Sequence, residues 1–246
     1  MEILDVNITE LEKHEILENF SSMSKGYICV TSVHGLIESY EDTSVQRAFR
    51  ESTYNIPDGM PIVLFGKYIR KISTFTRMYG PQFLIDFLNY NNKNNIKIFT
   101  IGSNENNLLK FKNILDAKYK NINLVGHNFE IIDINNEHQI DKIYRELSDI
   151  EVDYVLVFLS TPKQDVLMHR LISRGSNLKF IGFGAAVDFF IGDLKSPPVI
   201  MQNLSLEWLY RLIQEPRRLY KRYLKIVPKF LYIMIFRNLF IKSKDS

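Results

Sequence analysis

The sequence holds a single cysteine and lacks the familiar catalytic signatures. Cys29 lies in the apolar run YICVTSV, so neither a disulfide framework nor a cysteine metal site is expected, and a reducing compartment is indicated. The five histidines show no ligand spacing, and no Asp-x-Asp pair is present for a metal–diphosphate clamp. GxSxG, P-loop lysine and HExxH motifs are also absent. We therefore predict no metal site.

Long hydrophobic runs are also missing. No apolar stretch approaches the roughly 20 residues that a membrane-spanning helix needs. The start of the chain mixes charged and apolar side chains without the layout of a signal peptide. We therefore expect a cytoplasmic protein, and at 246 residues with 46% hydrophobic residues it can bury a sizeable core.

Acidic residues are scarce at one end of the chain. Residues 195–246 hold 11 Lys and Arg against 3 Asp and Glu, a balance of +8. Residues 1–194 hold the other 20 basic and 25 acidic residues, a balance of −5, which leaves the net charge of +3. The chain therefore divides by composition into a body, residues 1–194, and a basic appendage, residues 195–246, which indicates an anionic partner: phosphate, nucleic acid or lipid.

Apolar strand patterns alternate with helical patterns along the body. The predicted strands are EILDVNI, GYICVTSV, IKIFTIG, INLVGHNF, VDYVLVFL and LKFIGFGAAVDFF. The first helix is predicted to start near Thr9, with Glu12 completing a capping box, and residues 36–51 form another helical pattern. This alternation predicts an α/β fold with a mostly parallel, Rossmann-like sheet and helices on both faces.

The stretch YNIPDGMPIV, residues 54–63, holds one acid between a proline and a glycine. Pro57 fixes one backbone angle and Gly59 frees the next, so Asp58 is predicted to lie on a sharp turn. The apolar flanks indicate that this turn packs against the core. Taken alone, the stretch favours an ordinary Asp-Gly turn between two elements.

Polar residues follow four of the predicted strands, where parallel sheets bind ligands. The stretches are Thr31 to His34, Gly102 to Asn104, Ser160 to Gln164 and Gly182 to Asp188. Each alone is consistent with a structural role, but together they predict a nucleotide pocket. We name Thr31, His34, Gly102, Gln164 and Asp188 as its candidate binding residues.

The appendage has its own pattern. SLEWLYRLI predicts an amphipathic helix, and PRRLYKRYLKIV predicts a basic helix that starts at Pro216. KFLYIMIFRNLFIK is too short to span a bilayer but can lie in its interface. Packing on the chain's own body or on a sister subunit is the alternative. Nucleic acid is not expected, because the aromatic residues are embedded in aliphatic runs.

Five blocks resemble, in order, those of the WecG/TagA/CpsF glycosyltransferases. They are DGMPIV (58–63), RMYGP (77–81), TPKQD (161–165), GFGAAVDFFIG (182–192) and LEWLYRLIQEPRRLYKRYL (206–224). The resemblance covers about residues 25–225, and the last block is highly specific.

The resemblance implies an inverting, metal-independent transferase without a cofactor. It would move a sugar, commonly N-acetylmannosamine, from a UDP-sugar to a polyprenyl-diphosphate-linked sugar in the synthesis of a bacterial surface polysaccharide or teichoic acid. The protein would lie peripherally on the inner face of the cell membrane.

The resemblance also implies residue roles. Asp58 matches the proposed general base, and Thr31 and Gln164 match two further residues of the family's site. The family's C-terminal arginines, which close over the diphosphate and help hold the membrane, match Arg211, Arg217, Arg218 and Arg222.

The chain departs from the family pattern at five positions. Where the family usually has Asn, Gly, Glu, Arg and Gly, this sequence has His34, Ser160, Asp165, Ser196 and Ser205. A different donor, such as a UDP-hexose or a UDP-uronic acid, is therefore the alternative within the same fold. The alternative from another class is a non-catalytic module that binds nucleotide-sugar or lipid at the membrane.

Overall fold

The computed structural model describes residues 1–72, 75–195, 198, 201, 207–214, 216–217, 219–220, 224, 226, 228–230 and 232–233. For residues 207, 208 and 211 it describes the backbone only. The chain divides into two compact units, Met1–Leu194 and Lys195–Ser246. Within the described residues no helix is both long and apolar enough to cross a membrane.

Within the part of the chain that the structure describes, eight strands form a hairpin and one larger sheet. The strands are β1 (Glu2–Ile3), β2 (Val6–Asn7), β3 (Gly26–Thr31), β4 (Tyr54–Pro57), β5 (Ile96–Gly102), β6 (Ile122–Asn128), β7 (Tyr154–Phe158) and β8 (Lys179–Gly182). The last six pair in parallel in the order β4-β3-β8-β7-β5-β6. The predicted parallel sheet is therefore confirmed.

Helices cover both faces of this sheet. They are α1 (Lys13–Ser22), α2 (Val33–Glu41), α3 (Thr43–Arg50), α4 (Met60–Leu64), a π-helix (Phe65–Ile69), α5 (Gly80–Asn91), α6 (Glu105–Lys118), α7 (Glu137–Ser148), α8 (Lys163–Ser173) and α9 (Ala186–Phe190). In the appendage, α10 spans Glu207–Gln214.

The fully buried strand β3 shows how the two layers are built. Ile28 and Val30 join the core cluster that packs against α1, α5 and α6. On the other face, the Tyr27 hydroxyl donates to the Ala48 carbonyl of α3 at 2.6 Å. The Tyr27 ring also packs edge-on against His169 of α8, with centroids 6.5 Å apart. Because both faces are buried, the strand needs no alternation of apolar and polar residues.

Two sequence-based boundaries near the N-terminus are wrong. EILDVNI forms the antiparallel hairpin of β1 and β2, because Leu4 and Asp5 both adopt positive φ, 51° and 62°, as in a tight hairpin turn. Helix α1 begins at Lys13 rather than near Thr9. Glu12 is its N-cap, and the capping box is completed by Glu15, three residues further on.

Two longer segments are divided where the sequence pattern is continuous. Residues 36–51 form two helices, because Asp42 ends α2 and then caps α3 by accepting from the backbone of Ser44 at 2.7 Å. LKFIGFGAAVDFF is a strand only as far as Gly182, after which residues 186–190 form α9.

Asn55 ties β4 to three other parts of the body. Its buried Nδ2 donates to the carbonyls of Asn7 at 3.0 Å and Phe49 at 2.7 Å. Its backbone N–H donates to Thr9 Oγ1 at 3.0 Å, and its Oδ1 accepts from Thr31 Oγ1 at 3.4 Å. One side chain therefore connects the hairpin, α3 and the two strands that carry Thr31 and Asp58.

Replacing Asn55 with Ala should lower the free energy of unfolding by roughly 1–3 kcal/mol, because the buried Phe49 carbonyl and the part-buried Asn7 carbonyl lose their donor. Urea unfolding measures the change. The matched control is Asn123→Ala on the exposed side of β6, which should alter stability by less than about 0.5 kcal/mol. Equal effects of the two substitutions would contradict the assigned role of Asn55.

Candidate active site

Asp58 lies at the carboxyl end of the sheet, between β4 and α4. Its backbone N–H donates to the Thr31 carbonyl at 2.9 Å, which extends the pairing of β3 and β4 by one residue. The predicted turn is therefore present. Gly59 has φ −93° and ψ 133°, so the turn does not use the conformational freedom that we expected of this glycine.

The two oxygens of the Asp58 carboxylate have different surroundings. Oδ1 accepts from the backbone N–H of Gly80 at 3.1 Å and lies 3.6 Å from Arg77 Nη2. For Oδ2, no donor of a described residue lies within hydrogen-bonding distance. The side chain is 25% exposed. One oxygen is thus held by the protein while the other can accept a proton from a bound molecule.

Arg77 is a site residue that the sequence analysis did not identify. Its Nε donates to the Asp58 carbonyl at 2.5 Å, and its guanidinium lies 4.7 Å from the centroid of the Tyr79 ring. Tyr79 in turn packs edge-on against Phe189, with centroids 6.2 Å apart. The block RMYGP contained the signal, but only a folded chain shows that its arginine reaches back 19 residues to the turn.

Thr31 is completely buried beneath the turn. Its hydroxyl lies within donating distance of the Cys29 carbonyl at 3.2 Å and of Asn55 Oδ1 at 3.4 Å. In this structure Thr31 therefore supports Asp58 through its backbone carbonyl, and its contact with a substrate remains a prediction.

Gln164 follows a cis peptide bond between Thr161 and Pro162 at the start of α8. Its buried Oε1 accepts from the backbone N–H of Gly184 at 2.9 Å, and its Nε2 donates to Thr161 Oγ1 at 3.4 Å. A Cβ at Gly182 would come within 2.8 Å of the Gln164 amide carbon. The amide therefore orders the loop between β8 and α9, and its substrate contact is also still a prediction.

Asp165 is a fully buried carboxyl group beside Gln164. Burial raises its pKa to about 7, partly opposed by the Thr161 hydroxyl, the Cys29 thiol and Gln164. Neither carboxyl oxygen has a partner within normal hydrogen-bonding geometry, so these neighbours act at longer range. The Cys29 pKa is raised by the same burial and then by Asp165. The floor of this part of the site is thus apolar enough to disfavour charge.

Gly102 and Asp188 flank the other side of the sheet's carboxyl edge. Gly102 ends β5 at φ 89°, where a Cβ would lie 2.7 Å from the Leu159 side chain, so a larger residue does not fit. Asp188 in α9 accepts from Asn107 Nδ2 at 2.9 Å. Asn107 belongs to the first turn of α6, whose N-cap is Asn104.

His34 lies in the first turn of α2, next to the buried strand end. Its Nε2 is 3.2 Å from Glu38 Oε1, one helical turn further on. The imidazole is therefore already engaged by an acid of its own helix. Its role in substrate binding stays a prediction.

The four arginines of the appendage are only partly described. Arg211 lies in α10, where the backbone alone is described, and Arg217 is an exposed helical residue. Arg218 and Arg222 lie outside the described residues.

The structure brings Thr31, Asp58 and Arg77 into direct contact. Gln164 and Asp188 lie on loops at the same edge of the sheet. A surface depression lined by His127, Phe129 and Lys142 lies beyond β6, at the opposite end of the strand order from Asp58. It shares no residue with this site.

Comparison with known proteins places this site in a family. Residues 1–244 match the model of the glycosyl transferase WecG/TagA/CpsF family. A Staphylococcus aureus (strain MW2) protein is 22% identical over 238 residues, which cover 94% of this chain and 91% of the relative. A Bacillus subtilis (strain 168) protein is 26% identical over 223 residues, covering 91% and 82%.

Both relatives carry the name N-acetylglucosaminyldiphosphoundecaprenol N-acetyl-beta-D-mannosaminyltransferase. The family match spans nearly all of the chain and includes the strand ends that hold Asp58, Gln164 and Asp188. The resemblance in the sequence blocks is thereby confirmed: this chain is a glycosyltransferase and belongs to the WecG/TagA/CpsF family.

Proposed function

We propose that this enzyme transfers N-acetylmannosamine, or a related hexose, from a UDP-sugar to a polyprenyl-diphosphate-linked sugar. The transfer proceeds with inversion, without a metal ion, at the inner face of the cell membrane, in the synthesis of a surface polysaccharide or teichoic acid. The names of the two relatives support the sugar and the lipid-linked acceptor.

The observation that carries this proposal is the asymmetric carboxylate of Asp58. An inverting transfer needs one base, which removes the proton of the acceptor hydroxyl as its oxygen attacks the anomeric carbon. Gly80 and Arg77 hold Oδ1, and Oδ2 is left to take that proton. The new C–O bond forms as the bond to the UDP oxygen breaks, and UDP leaves with the electron pair.

The leaving UDP gains negative charge that must be stabilised. Arginines and backbone N–H groups can do this, because charge-assisted hydrogen bonds to phosphate are strong and need no metal. The appendage contributes 11 of the chain's 31 basic residues, and Arg211, Arg217, Arg218 and Arg222 are the proposed contacts. Membrane docking of the appendage would then assemble the site and bring the lipid-linked acceptor to it.

One departure from the family pattern bears on the identity of the donor sugar. His34 stands where the family usually has Asn, and it is paired with Glu38. A UDP-hexose or a UDP-uronic acid is therefore the second candidate donor. A panel of UDP-sugars, each tested for UDP release with a short-chain lipid-diphosphate-sugar acceptor, decides between them. Absence of release with every donor would favour a non-catalytic nucleotide-sugar-binding module.

Asp58→Asn should lower kcat in this assay by roughly 10²–10⁴-fold, since the amide cannot accept the proton. UDP should still bind, which calorimetry can measure. Asp116→Asn, an exposed acid on α6, is the control and should keep the wild-type rate. Turnover that persists in Asp58→Ala would show that another residue is the base.

Arg77→Lys should lower kcat by about ten- to a hundredfold with little change in the KM of the donor. Lysine keeps the charge but cannot contact both the carbonyl and Oδ1 of Asp58 with one planar group, so the carboxylate loses its orientation. Steady-state kinetics separate kcat from KM. The control is Arg47→Lys on the exposed side of α3, and an equal loss there would refute a specific role for Arg77.

Removal of divalent metals should leave turnover unchanged. The proposed site stabilises UDP with arginines and backbone N–H groups, so excess EDTA removes nothing that the reaction uses. Initial rates with EDTA, and then with added Mg²⁺ or Mn²⁺, provide the measurement. A loss of rate that either metal restores would contradict the metal-independent mechanism.

A further inference from the structure

Residues 60–71, which lie between Asp58 and Arg77 in the chain, have a buried side and an exposed side. Ile62, Val63, Phe65 and Gly66 are buried, and a Cβ at Gly66 would lie 2.6 Å from the Phe75 ring. This close contact anchors the π-helix to the body. The exposed side chains form what we call the basic–apolar patch: Leu64, Lys67, Tyr68, Ile69, Arg70 and Lys71.

The apolar members of the patch are unusually exposed. Leu64 is 41%, Tyr68 75% and Ile69 54% accessible to solvent. Three large apolar side chains are thus exposed within six residues, a denser cluster than the scattered single residues of an ordinary protein surface. Leu64 ends α4, and Tyr68 and Ile69 lie in the π-helix, so their backbone is already helical before any partner binds.

The charged members of the patch all have the same sign. Residues 59–85 contain Lys67, Arg70, Lys71 and Arg77 and no Asp or Glu. No acidic residue of the described chain forms an ion pair with Lys67, Arg70 or Lys71. The Arg70 guanidinium lies 5.7 Å from the centroid of the Phe65 ring, and this contact with a neutral side chain leaves the net charge of the patch unchanged.

We propose that the basic–apolar patch is a membrane-contact surface of the body, which binds the headgroups of anionic phospholipids. Exposed aliphatic and aromatic side chains flanked by Lys and Arg are the composition of interfacial segments. The patch begins six residues after Asp58, so its contact would place the base at the bilayer surface. The placement of the base at the bilayer rests on the proposed function, in which the acceptor is linked to a membrane lipid.

A second copy of the chain fits the patch less well. A symmetric dimer through this face would bring Lys67, Arg70 and Lys71 against their own copies, and like charges in an interface oppose association. In an anionic bilayer, the negative headgroups attract these cations, and the acyl chains can pack against the apolar side chains.

The first test replaces the three cations in the full-length protein, as Lys67→Ser, Arg70→Ser and Lys71→Ser together. The matched control is Lys112→Ser, Lys118→Ser and Lys120→Ser, which removes three exposed lysines elsewhere on the body. Cosedimentation with vesicles of phosphatidylglycerol and phosphatidylcholine gives the partition coefficient. Each cation near an anionic surface is worth about fivefold, so we expect a fall of at least about tenfold for the patch variant. The control should stay close to wild type.

The second test locates the contact independently of the appendage. Trp208 is the only tryptophan, so Tyr68→Trp in a Trp208→Phe background places a single indole in the patch. Vesicles with brominated acyl chains should quench its fluorescence. Ile131→Trp in the same background is the control, because Ile131 is also exposed but lies beyond β6, and it should not be quenched.

The outcomes separate this proposal from the proposed function. On a short-chain, water-soluble acceptor the patch variant should turn over at the wild-type rate, while on acceptor embedded in vesicles its rate should fall. Wild-type vesicle binding by the patch variant, absence of quenching at position 68, or a change only in oligomeric state would overturn the membrane contact. Inactivity of the wild-type protein with every donor would instead overturn the function and leave the vesicle measurements valid.

Discussion

The parallel pairing of β3 with β4 is the constraint on which the rest of the site depends. It carries the chain to Asp58, whose N–H is bound to the Thr31 carbonyl at 2.9 Å, and the Met78 N–H returns to the Pro57 carbonyl at 2.8 Å. These two hydrogen bonds bring the stretch 77–80 back to the turn. From there Arg77 and the Gly80 N–H reach Asp58 Oδ1. Backbone groups therefore set the orientation of the Asp58 carboxylate, and among the described residues only Arg77 adds a side-chain contact to it.

Buried polar residues beneath the sheet edge make this arrangement rigid. Asn55 connects β4 to the hairpin and to α3, and Gln164 holds the Gly184 N–H at 2.9 Å. Each of these two side chains gives a backbone group a hydrogen-bond partner in place of water. In this region the loss of such a hydrogen bond costs free energy of folding. Asp165 is different, because burial raises its pKa to about 7 and it lacks a well-aligned donor. The same burial therefore disfavours the charged form of the carboxyl group at this position.

The sequence predicted the fold and a turn at Asp58, because apolar runs such as VDYVLVFL followed by helical periods indicate a parallel sheet, and Pro57 and Gly59 flank the acid. It did not predict β4, which carries Asp58 to the edge of the sheet, since a four-residue strand that contains Asn55 and Pro57 forms no apolar run. The role of Arg77 was not predictable, since it depends on a return of the chain over 19 residues. The hairpin at Leu4–Asp5 and the end of β8 at Gly182 were also missed. Hydrophobic periodicity does not reveal that two residues other than glycine adopt positive φ. Nor does it show where β8 ends, because the apolar residues continue from the strand into α9.

We propose that Oδ2 of Asp58 accepts the proton of the acceptor hydroxyl while Oδ1 stays bound to the protein. A crystal structure of the enzyme with UDP and a lipid-diphosphate-sugar analogue tests it most directly. We expect the acceptor hydroxyl at about 2.6–3.2 Å from Oδ2, with the Gly80 N–H and Arg77 still on Oδ1. An acceptor hydroxyl bound instead to another carboxylate, such as Asp188, with Asp58 facing away from it, would contradict the account.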